Sequence, residues 1–293
     1  MSLVCIGNMT IDVAVRDGVR SKAAVGGDAA YAALAARPHL GRVSMLAPIG
    51  PDLPRWVLES LRSRGIGLRD LPRRSRPTIK NVVTYQSDGS RTWEMLASEA
   101  EFDVMSVYPQ DVEPWVLESS GILLSAMSLE SQLALTPWLR ANSAATLYLD
   151  LQEDYVAGHR DEILGMVASC DVFLPSEAEA TALAGTDDLA EAARSFQERG
   201  PKTVVIKRAE RGCLVLDGDA MTEVAIDAVE PVDSTGAGDA FCGAFAAVHQ
   251  KSGDTLAAVH AGAEGARAAI GAFGIAGLLD APALGGQRSG VSR

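Results

Sequence analysis

The chain opens on a short apolar run, Leu3–Ile6, stopped by Gly7. Apolar residues without alternation mark a strand buried on both faces. Val43–Ala47, Gly121–Leu124, Thr146–Leu151, Val172–Leu174 and Thr203–Lys207 repeat the pattern. Between them lie stretches of helical spacing: Asp28–Arg37 closed by Pro38, Leu53–Arg64 closed by Gly65, Ser131–Arg140, Arg160–Ala168, Glu177–Ala184 and Leu189–Arg199. Strand and helix in alternation predict a parallel sheet crossed by helices. Two segments break the rhythm. Thr78–Gln86 alternates apolar and polar, Ser87-Asp88-Gly89-Ser90 is a turn signal, and Arg91–Leu96 returns as a partner strand. Val13–Val25 reads as a short exposed ribbon, and the two pieces together predict a small appended sheet, a lid. Further on, Cys213–Asp217 and Met221–Ala225 predict a hairpin around Gly218, and Ala240–Lys251 and Thr255–Ile270 predict long helices rich in small residues. The expected organisation is one core of residues 1–11, 26–77 and 99–284, a lid of 12–25 and 78–98, and a polar, glycine-rich tail at 285–293.

Composition narrows the partners. With 293 residues, 47% hydrophobic and 22% charged, the chain has ordinary globular content and enough length for a sizeable core. Its formal charge of −12 repels nucleic acid and anionic membrane and points to small-molecule partners. Cys5, Cys170, Cys213 and Cys242 form no C-x-x-C pair and each sits in an apolar run, so buried free thiols and a reducing cytoplasm are expected. No signal peptide is expected at the N-terminus, and no stretch reaches the roughly 18 apolar residues of a membrane span. The four histidines show no metal-ligand spacing.

The densest chemistry lies at 231–245, Pro-Val-Asp-Ser-Thr-Gly-Ala-Gly-Asp-Ala-Phe-Cys-Gly-Ala-Phe. Gly236-Ala237-Gly238 lacks bulk, so backbone N–H groups can converge on an anion, helped by the positive end of the helix that begins near Asp239. A carboxylate beside a phosphate makes sense as a base that takes the proton of a hydroxyl attacking that phosphate. There is no G-x-x-x-x-G-K-[ST], no H-R-D…D-F-G set and no G-x-G-x-x-G after Gly7, which sets aside P-loop enzymes, protein kinases and dinucleotide-binding folds.

The same run resembles the signature of the PfkB (ribokinase-like) carbohydrate and nucleoside kinase family. It matches at Asp233, Gly236, Ala237, Gly238, Asp239, Phe241 and Phe245, with Ser234 and Thr235 as close variants. The resemblance covers essentially the whole chain. It implies a ribokinase-like three-layer α/β/α core with a mostly parallel central sheet and a small β lid. It makes Asp239 the catalytic base, with Gly236, Ala237 and Gly238 as the anion hole. Gly26-Gly27-Asp28, followed by an alanine-rich helix, is similar to the family's di-glycine motif. Asp12 falls where a first strand ends in a substrate-binding Asp, so Asp12, Gly26, Gly27 and Asp28 are assigned to the acceptor. Ser176-Glu177-Ala178-Glu179 falls at the N-x-x-E motif, with Ser176 in the Asn position; Glu179 is then the magnesium-side acid, acting through water. Lys207, Ala209, Gly212 and Gly238 are assigned to ATP, with Ala209 standing where the family usually has Gly. The adenine pocket is expected near Gly262–Arg267 and Phe273-Gly274. A monovalent cation near Asp233 and a homodimer formed through an apolar lid face (Val82, Thr84, Trp93) also follow from the resemblance.

The acceptor is less clearly written. Asp150-Leu151-Gln152-Glu153-Asp154 stands where many family sugar kinases carry D-P-N-x-R; with Tyr31, it looks more like the inositol-kinase-like and nucleoside-kinase-like branch. Only 13 residues separate Asp12 from Gly26, so the lid is short. Arg16, Arg20, Lys22 and Arg91 are the lid residues available to bind a substrate phosphate, but exposed hairpin charge is their commoner explanation. The expected acceptor is an unphosphorylated sugar or polyol. A nucleoside, with Tyr31, Tyr85 or Trp93 as platform for the base, and a non-catalytic ligand-binding relative are the alternatives.

Overall fold

The structure, a computed structural model, describes residues 1–86 and 91–279, apart from the side chains of Arg91, Trp93 and Glu153. The predicted turn Ser87–Ser90 and the tail 285–293 lie outside the described residues.

The strands run β1 (Leu3–Ile6), β2 (Thr10–Arg16), β3 (Val19–Arg20), β4 (Ala24–Gly26), β5 (Val43–Leu46), β6 (Ile66–Gly67), β7 (Ile79–Tyr85), β8 (Arg91–Met95), β9 (Gly121–Leu124), β10 (Thr146–Leu149), β11 (Val172–Phe173), β12 (Thr203–Lys207), β13 (Cys213–Asp217) and β14 (Ala220–Val224). The helices are α1 (Asp28–Ala36), α2 (Arg55–Ser63), α3 (Glu99–Val104), α4 (Pro114–Leu117), α5 (Leu129–Asn142), α6 (Arg160–Val167), α7 (Glu177–Ala184), α8 (Leu189–Gln197), α9 (Ala237–Ser252), α10 (Thr255–Ile270) and α11 (Ala276–Leu279).

Nine strands form the main sheet, in the order β14-β13-β12-β11-β10-β9-β1-β5-β6. Neighbours from β6 to β12 are parallel, and β13 and β14 add antiparallel. Both faces are covered, which is why the strands read as unbroken apolar runs. Successive side chains point to opposite faces. Leu3 and Cys5 pack into a core with α1, α9 and α10, while Val4 and Ile6 pack into a second core with α5, α6 and α8. The small residues of α9 let its backbone approach both neighbours. A Cβ at Gly243 would stand 2.0 Å from the Ala32 carbonyl oxygen, and one at Gly265 would stand 2.8 Å from that of Ala240.

The second sheet has the order β3-β2-β7-β8, and β4 pairs with the first half of β2, at Thr10–Asp12. The ribbon and the hairpin join through a parallel β2–β7 pair that sets Asp12 opposite Asn81. This sheet also takes in Thr10, Ile11 and Gly26, which the sequence boundaries gave to the core. Other boundaries move as well. Helix α9 begins at Ala237 rather than Ala240, so Gly238 and Asp239 belong to its first turn. Helix α5 begins at Leu129, where the Ser128 side chain accepts from the Ser131 N–H, and it carries Pro137 inside. The strand β6 and the helices α3 and α4 went unpredicted, being too short to display a period.

All four cysteines are free and buried. Among the described residues no helix is long and apolar enough to cross a membrane. The carboxyl ends of the parallel strands gather the polar residues: Asn8 follows β1, Ser125 follows β9, Asp150 follows β10, Ser176 follows β11, and Lys207 ends β12. Open α/β sheets bind ligands at this edge.

Candidate active site

A cavity of about 970 Å³ opens at the carboxyl edge and runs from the lid sheet, past the start of α9, to the face of α10. Its centre is the N-terminus of α9. Gly236 caps that helix at φ 73° in the left-handed region, and a Cβ there would fall 2.3 Å from the Tyr31 ring. Glycine is therefore needed twice, for conformation and for space. No side chain caps the helix; the Ala237 N–H donates to the Ser234 carbonyl oxygen at 3.4 Å, and the rest of the first turn lies on the cavity wall. Gly238 turns its small surface toward Lys207, whose Nζ would be 3.7 Å from a Cβ there.

Asp239 lies in this first turn, on the cavity wall. Burial, and next the negative charge of Asp150, push its pKa up to about 7, against the pull of Lys207. A carboxyl poised near neutral pH can both accept and hold a proton.

Asp150, read in the sequence only as part of the Asp150–Asp154 run and given no role in the site, organises the floor. Lys207 Nζ donates to Asp150 Oδ1 at 2.7 Å and lies 3.5 Å from Cys242 Sγ, while the Cys242 thiol donates to Asp150 Oδ2 at 3.4 Å. The pair is nearly enclosed, with 15% and 7% of the side chains exposed. Burial works against the Lys207 ammonium, yet Asp150, Cys242 and Glu179 hold its pKa above the usual lysine range. Lys207 thus points inward rather than snorkelling to solvent. Only the order β10-β11-β12 brings it over Asp150, and local pattern does not carry that order.

Glu179 sits at the third position of α7 and closes a capping box. Its Oε2 accepts from the Ser176 N–H at 2.7 Å, and Ser176 Oγ accepts from the Glu179 N–H at 3.2 Å. Ser at the Asn position is therefore an N-cap, a role both residues fill. Burial pushes the Glu179 pKa up to about 7; Lys207 opposes the rise and Asp150 adds to it. Among the described residues no three His, Cys, Asp or Glu side chains are placed to hold a metal ion directly. Glu179 instead leaves an under-compensated carboxylate on the cavity wall, which fits a hydrated magnesium ion.

The lid end is built around Asp12. Its Oδ1 accepts from Thr10 Oγ1 at 2.7 Å and from Asn81 Nδ2 at 2.9 Å. Burial raises its pKa to about 6, with these two hydrogen bonds pulling the other way. A Cβ at Gly26 would stand 1.9 Å from Asp12 Oδ2, and Gly27, at φ 95°, would press one 2.5 Å from the Asn8 carbonyl oxygen. The di-glycine thus makes room for Asp12 and for the β1–β2 turn. Asp28 starts α1 and faces the same cavity. Asn8, Asn81, Ile79, Met95 and Phe102 complete this end and were missed as site residues. Tyr31 packs against Gly236 and also lines the cavity, Tyr85 carries Arg16 over its ring at 4.9 Å, and the Trp93 side chain lies outside the described residues. Arg16, Arg20 and Lys22 do not line the cavity.

At the other end, Ala209 and Gly212 flank a short turn on the cavity wall. Ala209 has φ 49°, a left-handed conformation that explains why glycine is usual there. Gly212 is required by the fold, because a Cβ would stand 2.0 Å from the Val224 carbonyl oxygen. Ala263, Ala266, Arg267 and Ile270 of α10 form the wall opposite Ile226 and Val229. Sequence reasoning found the α10 segment and missed 226–229. The turn at Phe273-Gly274 does not line the cavity; a Cβ at Gly274 would fall 2.7 Å from that of Ala24. Asp233 lies behind the loop, its Oδ1 accepting from the Thr235 N–H at 3.0 Å and from Thr235 Oγ1 at 2.7 Å.

Fold and cavity together define an α/β small-molecule kinase. The chain belongs to the pfkB family of carbohydrate kinases, whose family model matches residues 1–281. It is 30% identical over 278 residues to a cytidine kinase of Thermococcus kodakarensis, covering 94% of this chain and 98% of that protein. A putative ribokinase II from E. coli, in complex with ATP and Mg²⁺, superposes with a TM-score of 0.78 at 22% identity, over 93% of this chain and 94% of its own. A fructokinase double mutant from Vibrio cholerae O395, bound to fructose, ADP and potassium, superposes with a TM-score of 0.77 at 23% identity, over 95% of each chain.

Proposed function

We propose that the chain transfers the γ-phosphoryl group of ATP to a hydroxyl of a small sugar or polyol. The observation that carries this reading is the uncapped N-terminus of α9, with Asp239 in its first turn, midway along a cavity with two chemically different ends. The acceptor lies against Asp12, the Gly26-Gly27 turn and Asp28. The nucleotide lies along Lys207, Ala209, Gly212 and the α10 wall. Asp239 takes the proton of the attacking hydroxyl as its oxygen bonds to the γ-phosphorus and the bond to the ADP oxygen breaks. The N–H groups around Gly236, Ala237 and Gly238, and the Lys207 ammonium, hold the charge on the phosphoryl oxygens. Magnesium, held near Glu179 through water, supplies charge neutralisation when bound. Asp233 is assigned to a monovalent cation behind the loop, on the likeness to the potassium-bound fructokinase; comparing rates in potassium and in tetramethylammonium tests that. The lid sheet is the surface assigned to a homodimer, although Val82, one of its expected contact residues, is buried within the subunit.

A nucleoside acceptor is the second reading. It is favoured by the apolar wall of Ile79, Met95 and Phe102 beside Asp12, and by the likeness to a cytidine kinase. An ADP-release screen across sugars, polyols and nucleosides with ATP and Mg²⁺ separates the two. Turnover of sugars or polyols is expected; turnover of nucleosides alone would replace the first reading with the second.

The Asp239 pKa near 7 gives a pH profile with a definite sign. Below it the base is protonated and cannot accept the hydroxyl proton. The expected kcat/KM therefore climbs about tenfold per pH unit on the acid side and levels above an apparent pKa near 7. A profile flat from pH 5 to 9 would remove Asp239 as the titrating base.

A further inference from the structure

Tyr31, on α1, is 1% exposed and yet lines the cavity. The start of α9 presses on its ring. A Cβ at Gly236 would fall 2.3 Å from Cδ1, 2.4 Å from Cε1 and 2.5 Å from Cγ. That contact fixes the ring from one side, and with it the place of the hydroxyl. The hydroxyl itself is buried and has no hydrogen-bond partner among the described residues. A buried phenol normally finds one, and leaving it without costs about 1–3 kcal/mol. Burial first, then the negative charges of Asp12, Asp233 and Asp239, hold the Tyr31 pKa above its usual value. The phenol therefore keeps its proton at neutral pH and stands as an unspent donor between the acceptor end and the base.

Its surroundings say what it can receive. Asn81 donates to Asp12 at 2.9 Å, while the Oδ1 atoms of Asn81 and Asn8 are buried without partners among the described residues. Both asparagines line the cavity with Asp12 and Tyr31. One ligand oxygen that accepts from a phenol and donates to an amide or carboxylate oxygen is a hydroxyl. The hydroxyl that reacts is a poor match for Tyr31. It turns a lone pair to phosphorus and gives its proton to Asp239, and a hydrogen bond donated to that lone pair would oppose the attack.

We infer that Tyr31 is a specificity-determining residue whose phenol donates to a second hydroxyl of the acceptor, apart from the one phosphorylated. The site then selects acceptors with at least two hydroxyls, and the Tyr31 contact holds the first one toward Asp239. The inference rests on the kinase reading and deepens it.

The test compares the full-length wild type with Tyr31→Phe, which keeps the ring against Gly236 and removes only the hydroxyl. D-fructose, D-ribose, myo-inositol and cytidine are titrated calorimetrically, with Mg²⁺ and a non-hydrolysable ATP analogue present. The probe that the wild type binds most tightly is expected to bind at least about fivefold more weakly to Tyr31→Phe. Affinity for the ATP analogue is expected to stay within about twofold, and the thermal midpoint of the free protein within about 2 °C, because no internal hydrogen bond is lost. Monodeoxy derivatives of that probe locate the contact. Removing one particular hydroxyl is expected to weaken wild-type binding at least about fivefold and to cost Tyr31→Phe nothing further. Binding of no probe by the wild type, equal binding of the probe by both proteins, or deoxy penalties of equal size in both would overturn the inference. So would a variant that loses the ATP analogue instead, or one that unfolds early or fails to fold, since the hydroxyl would then have had a partner already. ADP release with ATP separates the two levels. Tyr31-dependent binding without turnover would strike the kinase reading alone, whereas turnover indifferent to Tyr31→Phe would strike this inference alone.

Discussion

Asp239→Asn lowers kcat by about 10²–10⁴, while the affinity for ATP stays within a few-fold of the wild type. The amide keeps the shape of the carboxylate and can still sit in the first turn of α9, so the anion seat survives. What it loses is the capacity to accept the hydroxyl proton. The pattern that identifies a base is therefore a collapse of kcat without collapse of nucleotide binding, read by steady-state kinetics beside a direct binding titration. A variant with wild-type kcat takes Asp239 out of the chemistry. A variant that loses ATP altogether recasts it as part of the nucleotide seat. The contribution of Asp239 to the acid limb of the pH profile should also be lost in this variant, so that any remaining limb belongs to Glu179, whose pKa also lies near 7.

Lys207→Met, measured without nucleotide, destabilises the protein by about 3–5 kcal/mol, because it strands the Asp150 carboxylate in an enclosed site. At about 2–4 °C per kcal/mol, thermal unfolding shifts downward by roughly 6–20 °C. The double variant Asp150→Leu with Lys207→Met removes both charges and is expected to recover most of that loss, since apolar groups of similar volume replace a buried pair at little net cost. A loss below about 1 kcal/mol in the single variant would mean that the pair behaves like an exposed salt bridge. Recovery in the double variant, with activity still lost, would separate the two contributions of Lys207: balancing Asp150, and meeting the phosphates beside Gly238.

Leu3–Ile6 and its parallel neighbours announce themselves in sequence because strands covered on both faces have no polar positions to interrupt them. The lid announces itself differently, through the Ser87-Asp88-Gly89-Ser90 turn signal between two strand-like runs; β7 itself is buried at Ile79, Asn81, Val82 and Val83 rather than at every second residue. The Gly236–Asp239 turn is readable because its requirements are local, a left-handed residue and a bare helix start. Asp150, Asn8 and Asn81 are different. Asp150 matters through Lys207, which reaches it across β11, and Asn81 matters through Asp12, which it meets only because β2 pairs with β7 in one register. Those contacts are made by topology, so no spacing in the chain records them. Gly26 shows the same limit from the other side. Its motif is visible, but its reason, the Asp12 carboxylate in the space a Cβ would fill, appears only in three dimensions.

The assignment as a kinase is tested most directly by product stoichiometry. The wild type is incubated with ATP, Mg²⁺ and each sugar, polyol or nucleoside of the screen, and ADP, inorganic phosphate and the phosphorylated acceptor are quantified together. The expected result is ADP formed only when an acceptor is present, matched one for one by a phosphate ester of that acceptor. ADP matched by free phosphate and indifferent to the acceptor, or no ADP with any acceptor, would contradict it.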